Sequence, residues 1–502
     1  MQPEHRDEVL LSGERQLSRE LVSMAVSEGF QITEAALNEL RECDKPLETL
    51  LRTIDELKKN SPDVAVIDVV HLKPVQEVEK RAGLENRAIA EPKQTYIPKL
   101  TAVNYIDEDY RLEGDVGEFK RYFTSRYLKI RRMLERRIMN YTPVAEAGAV
   151  RDGAEVDLAV MVHGKHDRKN SLLLEVEDPS GVLNVVVPTK NTQVYEEASG
   201  IVNDVVVGLK VRKAGDLLIV KEVVYPEVEE STMSKPRNNV EAYVCLTSDI
   251  HVGSKNFRQD LFDEFLDWLN RGRDGVVKHI THLVIAGDLV EGVGVYPGQE
   301  KDLMIRNVED QLKEASRLLS EVPDRIEIVF SPGNHEPVRK ALPQPPLQKR
   351  YREIFLSRRR VQFVSNPAML ELDGARILVY HGQGLDELIQ SIPEASYSNL
   401  RETATKLLTY MLRCRHLAPV YGENTQLLPM HEDKLVITEA PSVLQTGHIH
   451  VAVKTTHRGV VLLNAGAWQD QTDYQRSMGM EPMIGYAGLF SLADHDVVLK
   501  HF

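Results

Sequence analysis

Hydrophobic positions recur at helical spacing through the first sixty residues. In LSRELVSMAVSEGF, residues 17–30, Leu17, Leu21, Met24 and Ala25 fall on one face. ITEAALNELREC follows, with Thr33 as the expected N-cap. PLETLLRTIDELKK then repeats the period through Leu47, Leu50, Leu51, Ile54 and Leu57. These patterns predict a small all-α module over residues 1–60. Pro, Asn, Asp and Glu break the period from 61 to 115, which predicts a linker. Between 155 and 224 the period changes to β-rich runs: LAVMVHGKH, SLLLEVED, VLNVVVP, IVNDVVVGLKVRKA and GDLLIVKEVVYP. Five short strands with Gly-containing turns predict a small β-barrel. From 240 onward, strands such as VEAYVCLTS, ITHLVIAG, RIEIVFS, ARILVYH, SVLQTG, GVVLLNAG and DVVLKHF alternate with amphipathic helices. FRQDLFDEFLDWLNRG and the stretch near 303–321 are two of these helices. That alternation predicts an α/β domain of packed sheets with helices outside.

Composition adds bounds. A chain of 502 residues predicts several domains, here 1–60, 61–115, 116–238 and 239–502. Hydrophobic residues at 42% and charged residues at 27% are the make-up of a water-soluble globular chain. No apolar run reaches the roughly 18–20 residues of a membrane span, and the charged start MQPEHRDEVLLSGERQ lacks the apolar core of a secretory signal. Cys43, Cys245 and Cys414 are too scattered for a disulfide framework, so a cytoplasmic location is expected. The net charge of −14 excludes coating of nucleic acid by bulk attraction. It leaves room for a local patch: FKRYFTSRYLKIRRMLERR, 119–137, carries eight Lys or Arg against one Glu. That helix either faces solvent or a partner, or meets a phosphate backbone. Among five-stranded barrels the OB fold is the natural expectation for 155–224, although others would read alike.

The strand ends carry the chemistry. VCLTS runs into Asp249 and His251, LVIAG into Asp288, and EIVFSPG into Asn334 and His335; ILVY runs into His381, and VLQTG into His448 and His450. Ligands in open α/β sheets collect beyond the carboxyl ends of strands. Asp-x-His and His-x-His would put both members of each pair on one face of an extended chain. Glycines 287, 333, 382 and 447 would let the backbone turn sharply beside them. Imidazole, carboxylate and amide oxygen without thiolate suit Mn²⁺, Fe²⁺, Zn²⁺ or Ni²⁺. Even with His335 set aside, the donors are too many for one tetrahedral zinc and fit two divalent metal ions sharing a carboxylate. Each fragment alone carries little weight; five strand ends in one order carry much.

At these residues the chain resembles the calcineurin-like metallophosphoesterases, whose ordered motifs D-x-H, G-D, G-N-H-[DE], H and G-H-x-H all occur between 249 and 450. Over GDLVEGVGVYPGQEKDL, SPGNHEPVRKALPQPPL, RHLAPVYG and VLQTGHIH it is similar to the small subunits of archaeal family-D DNA polymerases. The order of helical module, basic helix, barrel and phosphoesterase domain is similar too, and the likeness is weakest before residue 116. The resemblance implies a two-subunit replicative DNA polymerase. Its large subunit would polymerise, and this subunit would carry a 3′→5′ proofreading exonuclease that hydrolyses the 3′-terminal phosphodiester of DNA. The expected partners are that large subunit and single-stranded DNA 3′ ends, with no membrane. Carried over by position, Asp249, His251 and His450 would hold one metal, and Asn334, His381 and His448 the other. Asp288 would bridge them, and His335 would lie beside the scissile phosphate. Mn²⁺ is the expected ion, with Mg²⁺ added to the alternatives above. The related eukaryotic polymerase subunits have lost most of these ligands; this sequence keeps every one.

His335 is expected to hydrogen-bond the phosphate or protonate the leaving oxygen. Glu336 either orients His335 or merely decorates the turn. Imidazole ligands must be neutral to bind metal, so activity is expected to fall below about pH 6. Two other readings stay open at this point: a non-catalytic scaffold with a vestigial site, and a phosphatase for proteins or small nucleotides. The barrel has few aromatic residues, which favours subunit contact over base stacking.

Overall fold

The computed structural model describes residues 18, 21–26, 28–41, 46–60, 66–67, 98–108, 110–229 and 241–502. Leu17, Cys43 and most of the expected linker lie outside the described residues. The chain divides into two units, residues 1–94 and 95–502. In the first, the helices Glu34–Arg41 and Pro46–Asn60 bury Ala36, Leu40, Leu50 and Ile54 against Leu21 and Ala25. Thr33 caps as expected, its Oγ1 accepting from the Ala36 N–H at 3.2 Å. The unit is not purely helical, however. Gln31–Ile32 and Val66–Ile67 pair as parallel strands, and Ile32 and Ile67 pack on the helices. Two-residue strands are too short to show a period.

In the second unit, five strands close into a barrel: Glu155–Arg168, Ser171–Asp178, Gly181–Pro188, Val206–Ala214 and Leu217–Val224. The spatial order is first, second, third, fifth, fourth, closing back on the first. Alternate residues such as Leu158, Val160, Leu172, Leu174 and Val185 fill the interior. The helix Thr192–Ser199, which the sequence pattern did not disclose, joins the third strand to the fourth. Only Val194 and Ala198 of this helix are buried, too few to stand out as a period.

The basic run forms the helix Val116–Leu134, opened by a capping box between Asp115 and Glu118. Its inner face is largely apolar. Tyr127, Ile130 and Leu134 pack on Ala159, Met161 and Val206 of the barrel. Phe119 and Phe123 meet Tyr421 edge-on, with centroids 5.8 and 5.3 Å away. Arg126 is wholly buried. Its Nε donates to Asp433 at 2.7 Å, and Nη1 donates to the carbonyls of Asp204 at 3.0 Å and Pro419 at 2.6 Å. Arg126 and the aromatic residues therefore join helix, barrel and α/β region, while Lys120, Arg121, Arg132 and Arg136 are exposed.

The α/β region is two six-stranded sheets packed face to face. The first runs Val361–Phe363, Glu327–Ser331, Ile280–Ala286, Tyr243–Thr247, Tyr486–Ser491, Val497–His501. Its first four strands are parallel, and the last two form an antiparallel hairpin. The second runs Ala452–His457, Val460–Ala465, Val443–Thr446, Ala375–Val379, Ala368–Leu372, Leu100–Asn104. Alternation sorts the strands: Val244, Leu246, Val284 and Val329 face the other sheet. Cys245, Leu283, Ile285 and Phe330 face the helices Gln259–Arg271 and Val308–Leu319 outside. Leu100–Asn104 falls within the expected linker but is a strand, pairing antiparallel with Ala368–Leu372. Leu100 and Ala102 point toward the core and Thr101 and Val103 outward, an alternation too short to be read beside the polar residues around it. Among the described residues no helix is long and apolar enough to cross a membrane.

Candidate metal centre

Three parallel strands of the first sheet and two of the second end at one place. Thr247 leads to Asp249 and His251, Ala286 to Asp288, and Ser331 to Asn334 and His335; Val379 leads to His381 and Thr446 to His448 and His450. Hydrogen bonds hold the ends together: within the second sheet, Gly447 N–H to the His381 carbonyl at 2.8 Å, and across the sheets, Gln445 Nε2 to the Thr247 carbonyl at 3.0 Å and the Val284 carbonyl at 3.2 Å. All eight predicted residues converge. The expected extended backbone is wrong, however. Asp249, His251, Asp288, His448 and His450 have φ of 53°, 57°, 51°, 72° and 54°. Each pair is a curl through the left-handed region, which non-glycine residues seldom adopt. The curl lets His448 donate its N–H to both oxygens of Asp249 at 3.0 Å. Close approach explains two glycines: a Cβ on Gly447 would collide with the Asp249 carboxylate, and one on Gly333 with that of Asp288.

The hydrogen bonds fix which nitrogen faces inward. His381 Nδ1–H donates to the Ala286 carbonyl at 2.8 Å, so its Nε2 lone pair faces Asn334 Oδ1 at 2.9 Å and Asp288 Oδ2 at 3.1 Å. His448 Nε2–H donates to Asp386 at 2.8 Å, so Nδ1 faces the same Asn334 oxygen at 3.0 Å. His251 Nδ1–H donates to Glu291 at 2.9 Å, so Nε2 faces His450 Nε2 at 3.1 Å and Asp288 Oδ2 at 3.8 Å. His450 Nε2 lies 3.5 Å from Asp249. Around Asn334 Oδ1 and Asp288 acceptors thus face acceptors, an arrangement that only protons or cations relieve; His450 differs, because its Nδ1 accepts from Gln475 Nε2 and the neutral ring then carries its proton on Nε2. Among the described residues three groups have donors within 4.8 Å of one another: Asp249, His251 and His450; Asp288, His381 and His448; and His251, Glu291 and His335. The donor set fits divalent ions.

Electrostatics agree. Burial alone would lower the pKa of His251, but the bond to Glu291 and the charges of Asp288 and Asp249 raise it to about 9. Burial likewise works against protonation of His381, and Asp288 outweighs it, raising the value to about 10. Burial would raise Glu291; His251 instead holds it at about 2. Asp288 is held well below the usual carboxylate range by His381 and His335 against its burial. The carboxylates therefore draw positive charge into the pocket.

Several contributors escaped the sequence reading. Glu291 and Asp386 anchor the imidazoles of His251 and His448 from behind, a role that orients ligands and raises their basicity. Glu291 was visible three residues after Asp288, and Asp386 five after His381, but neither spacing announces a partner. Gln475 Nε2 bonds His450 Nδ1 at 2.9 Å, and nothing in the sequence signals it. Glu336 does neither of the things expected of it. Its buried carboxylate accepts from the N–H groups of Asp288 (2.9 Å), Val290 (3.2 Å) and Gly333 (2.6 Å), tying two strand-end loops together. Burial and Asp288 push its pKa up to about 7. His335 is oriented instead by the Glu291 carbonyl, to which its Nδ1–H donates at 2.6 Å.

Residues 244–452 match the family model of the DNA polymerase alpha/epsilon B-subunits. Among curated relatives, the DNA polymerase II small subunit of Methanothermobacter thermautotrophicus is 33% identical over 93% of this chain and 96% of its own length. That of Archaeoglobus fulgidus is 35% identical over 83% and 84%, and that of Halobacterium salinarum 34% over 78% and 75%. The family-model match spans every strand end of the candidate centre, and with relatives more than 30% identical over most of both chains the chain belongs to the family of archaeal DNA polymerase II small subunits.

Proposed function

We propose that this chain carries the proofreading activity of its polymerase, as a metal-dependent 3′→5′ exodeoxyribonuclease acting on DNA. The observation that carries it is the meeting of lone pairs from Asp288, Asn334, His381 and His448 beside the cluster of Asp249, His251 and His450. Asp249, His251 and His450 would hold one ion, Asn334, His381 and His448 a second, with Asp288 shared. Bound there, two divalent ions would neutralise charge on the phosphate and supply a nucleophile near neutral pH. Mn²⁺ suits the donors best. The chain's own residues do the rest. Glu291 and Asp386 hold imidazoles in the metal-binding tautomer. His335, with Nδ1–H committed, offers Nε2 as an acceptor when neutral and as a donor once protonated, when it can serve the leaving 3′-oxygen. In this scheme residues 239–502 are a calcineurin-like phosphoesterase domain to which the strand Leu100–Asn104 is added, 116–238 a basic helix with an OB fold, and the first unit, with its strand Val66–Ile67, a docking module. The large catalytic subunit that membership in a subunit family implies is the partner.

His450→Ala should lose bound metal and release of mononucleotides from single-stranded DNA together, since Val451 has no donor to substitute. Full activity of that variant in metal-scavenged buffer would exclude this assignment. His335→Ala should keep its metal and hydrolyse slowly; loss of metal would make His335 a ligand. A wild-type chain that binds no divalent metal would be a scaffold. One that cleaves phosphomonoesters and spares 3′-terminal diesters would be a phosphatase.

A further inference from the structure

The cavity over the candidate centre, about 230 Å³, has two kinds of wall. Its floor is the cluster of acidic, imidazole and amide groups. Its rim is Tyr296, Tyr397, Tyr474, Met478 and Met480. No lysine or arginine lines it among the described residues. With no lysine or arginine at its mouth, the cavity offers a nucleotide aromatic surface beside the charge of its floor. Tyr296 and Tyr474 are stacked, with centroids 6.0 Å apart and planes 25° apart, and Tyr296 lies 6.4 Å from His335.

The tyrosines are positioned rather than loose. Tyr296 Oη donates to Glu291 or Asp302, at 3.2 and 3.0 Å. Tyr397 Oη donates at 3.0 Å to Asp386, the carboxylate that holds His448. Tyr474 sits on the short helix Asp473–Ser477, whose capping box joins Thr472 to Gln475. Gln475 in turn bonds His450. The rings of Tyr296 and Tyr397 are thus each tied by a hydroxyl bond to a carboxylate of the centre, and Tyr474 is placed by its helix and by stacking on Tyr296. Beyond its stack on Tyr296, Tyr474 nevertheless remains 56% exposed.

We propose that this rim is a stacking platform for an unpaired 3′-terminal nucleobase, with Tyr474 the principal contact. It rests on the exonuclease assignment above and adds the substrate feature recognised. Every base has a π-face, so the platform accepts all four and demands only that the base be unstacked from a duplex. Selection would then fall on frayed ends, where unpairing costs least.

The test uses the full-length chain with Mn²⁺ and two oligonucleotides that differ only in the 3′-terminal residue, one bearing a base and the other abasic. Wild type should cleave the base-bearing end about tenfold more efficiently or better. Tyr474→Ala should erase that ratio, and Tyr474→Phe should restore it. A second measurement needs no turnover: a 3′-terminal 2-aminopurine should be quenched on binding by the metal-free wild type and much less by Tyr474→Ala. Equal cleavage of both ends by wild type, or undiminished quenching by Tyr474→Ala, would overturn the platform and leave the nuclease intact. Cleavage of neither end by wild type would overturn the nuclease assignment itself. A melting transition unchanged in Tyr474→Ala guards against misfolding.

Discussion

Replacing Arg126 by Met tests what the most basic segment of the chain is for. The side chain is wholly buried, and its Nε donates to Asp433, itself wholly buried. Methionine fills similar space without charge. It strands the Asp433 carboxylate and removes the donors to the Asp204 and Pro419 carbonyls. Breaking a buried ion pair from one side costs about 3–5 kcal/mol. Asp433 keeps two donors, His416 Nε2 at 2.8 Å and the Leu435 N–H at 2.9 Å, which pulls its share toward the lower figure. Each of the two orphaned carbonyls adds about 1 kcal/mol, so a total of about 5 kcal/mol is expected. Urea unfolding followed through Trp268 and Trp468 should show that loss as a lower midpoint at unchanged m-value. Arg126→Met with Asp433→Asn should cost at least about 1 kcal/mol less than the sum of the singles, because the two groups share one interaction. A loss under 1 kcal/mol would refute the structural role. So would unchanged stability with a shallower salt dependence of single-stranded DNA binding, since that is how a phosphate contact behaves.

Further expectations concern protons and loops. Burial and Arg126 push the His416 pKa down to about 4. The unfolded chain therefore binds more protons between pH 4 and 6.5, and stability should fall by about 3 kcal/mol as pH drops through that window; urea midpoints at pH 7.5 and 5 check it, and His416→Asn should flatten the difference. The carboxylates around His251 and His381 raise both imidazoles above neutrality, so metal uptake near pH 7.5 should release protons, read by calorimetry in buffers of different ionisation enthalpy. This moves proton–metal competition well above the pH 6 that unperturbed imidazoles would give. Asp386→Asn should weaken metal affinity about 10–100-fold by freeing the His448 ring, measured by titration with Mn²⁺. Gly447→Ala should displace the Asp249 carboxylate and lower bound metal; metal content equal to wild type would contradict the close approach.

Legibility in the sequence followed the length of each regularity. The strands that end at Asp249, Asp288, Asn334, His381 and His448 were readable because each apolar run stops at a ligand-type residue, and repetition across five ends made coincidence implausible. The left-handed turns at Asp249, His251, Asp288, His448 and His450 were not, because Asp and His do not declare positive φ as glycine does. Partners behind the ligands were hidden for another reason. Glu291, Asp386 and Gln475 reach their imidazoles through the fold, at no fixed sequence offset. In the helix Val116–Leu134 charge count misled: Arg126 looks like its basic neighbours, and only packing shows it facing Asp433 rather than solvent. Short elements such as Gln31–Ile32 and Leu100–Asn104 offer too few positions for any alternation to be recognised.

The strand Leu100–Asn104 has a bearing on how this protein can be shortened. It occupies the outer position of its sheet, paired along its whole length with Ala368–Leu372, and the Tyr105 N–H continues the attachment through Ser365 Oγ at 2.8 Å. A chain begun at residue 106 would keep the barrel and every metal donor, yet bare a row of main-chain groups flanked by Leu370 and Leu372. Such an edge invites pairing with another molecule. Loss of solubility on that truncation would come from the missing strand, and a cut before residue 98 would avoid it.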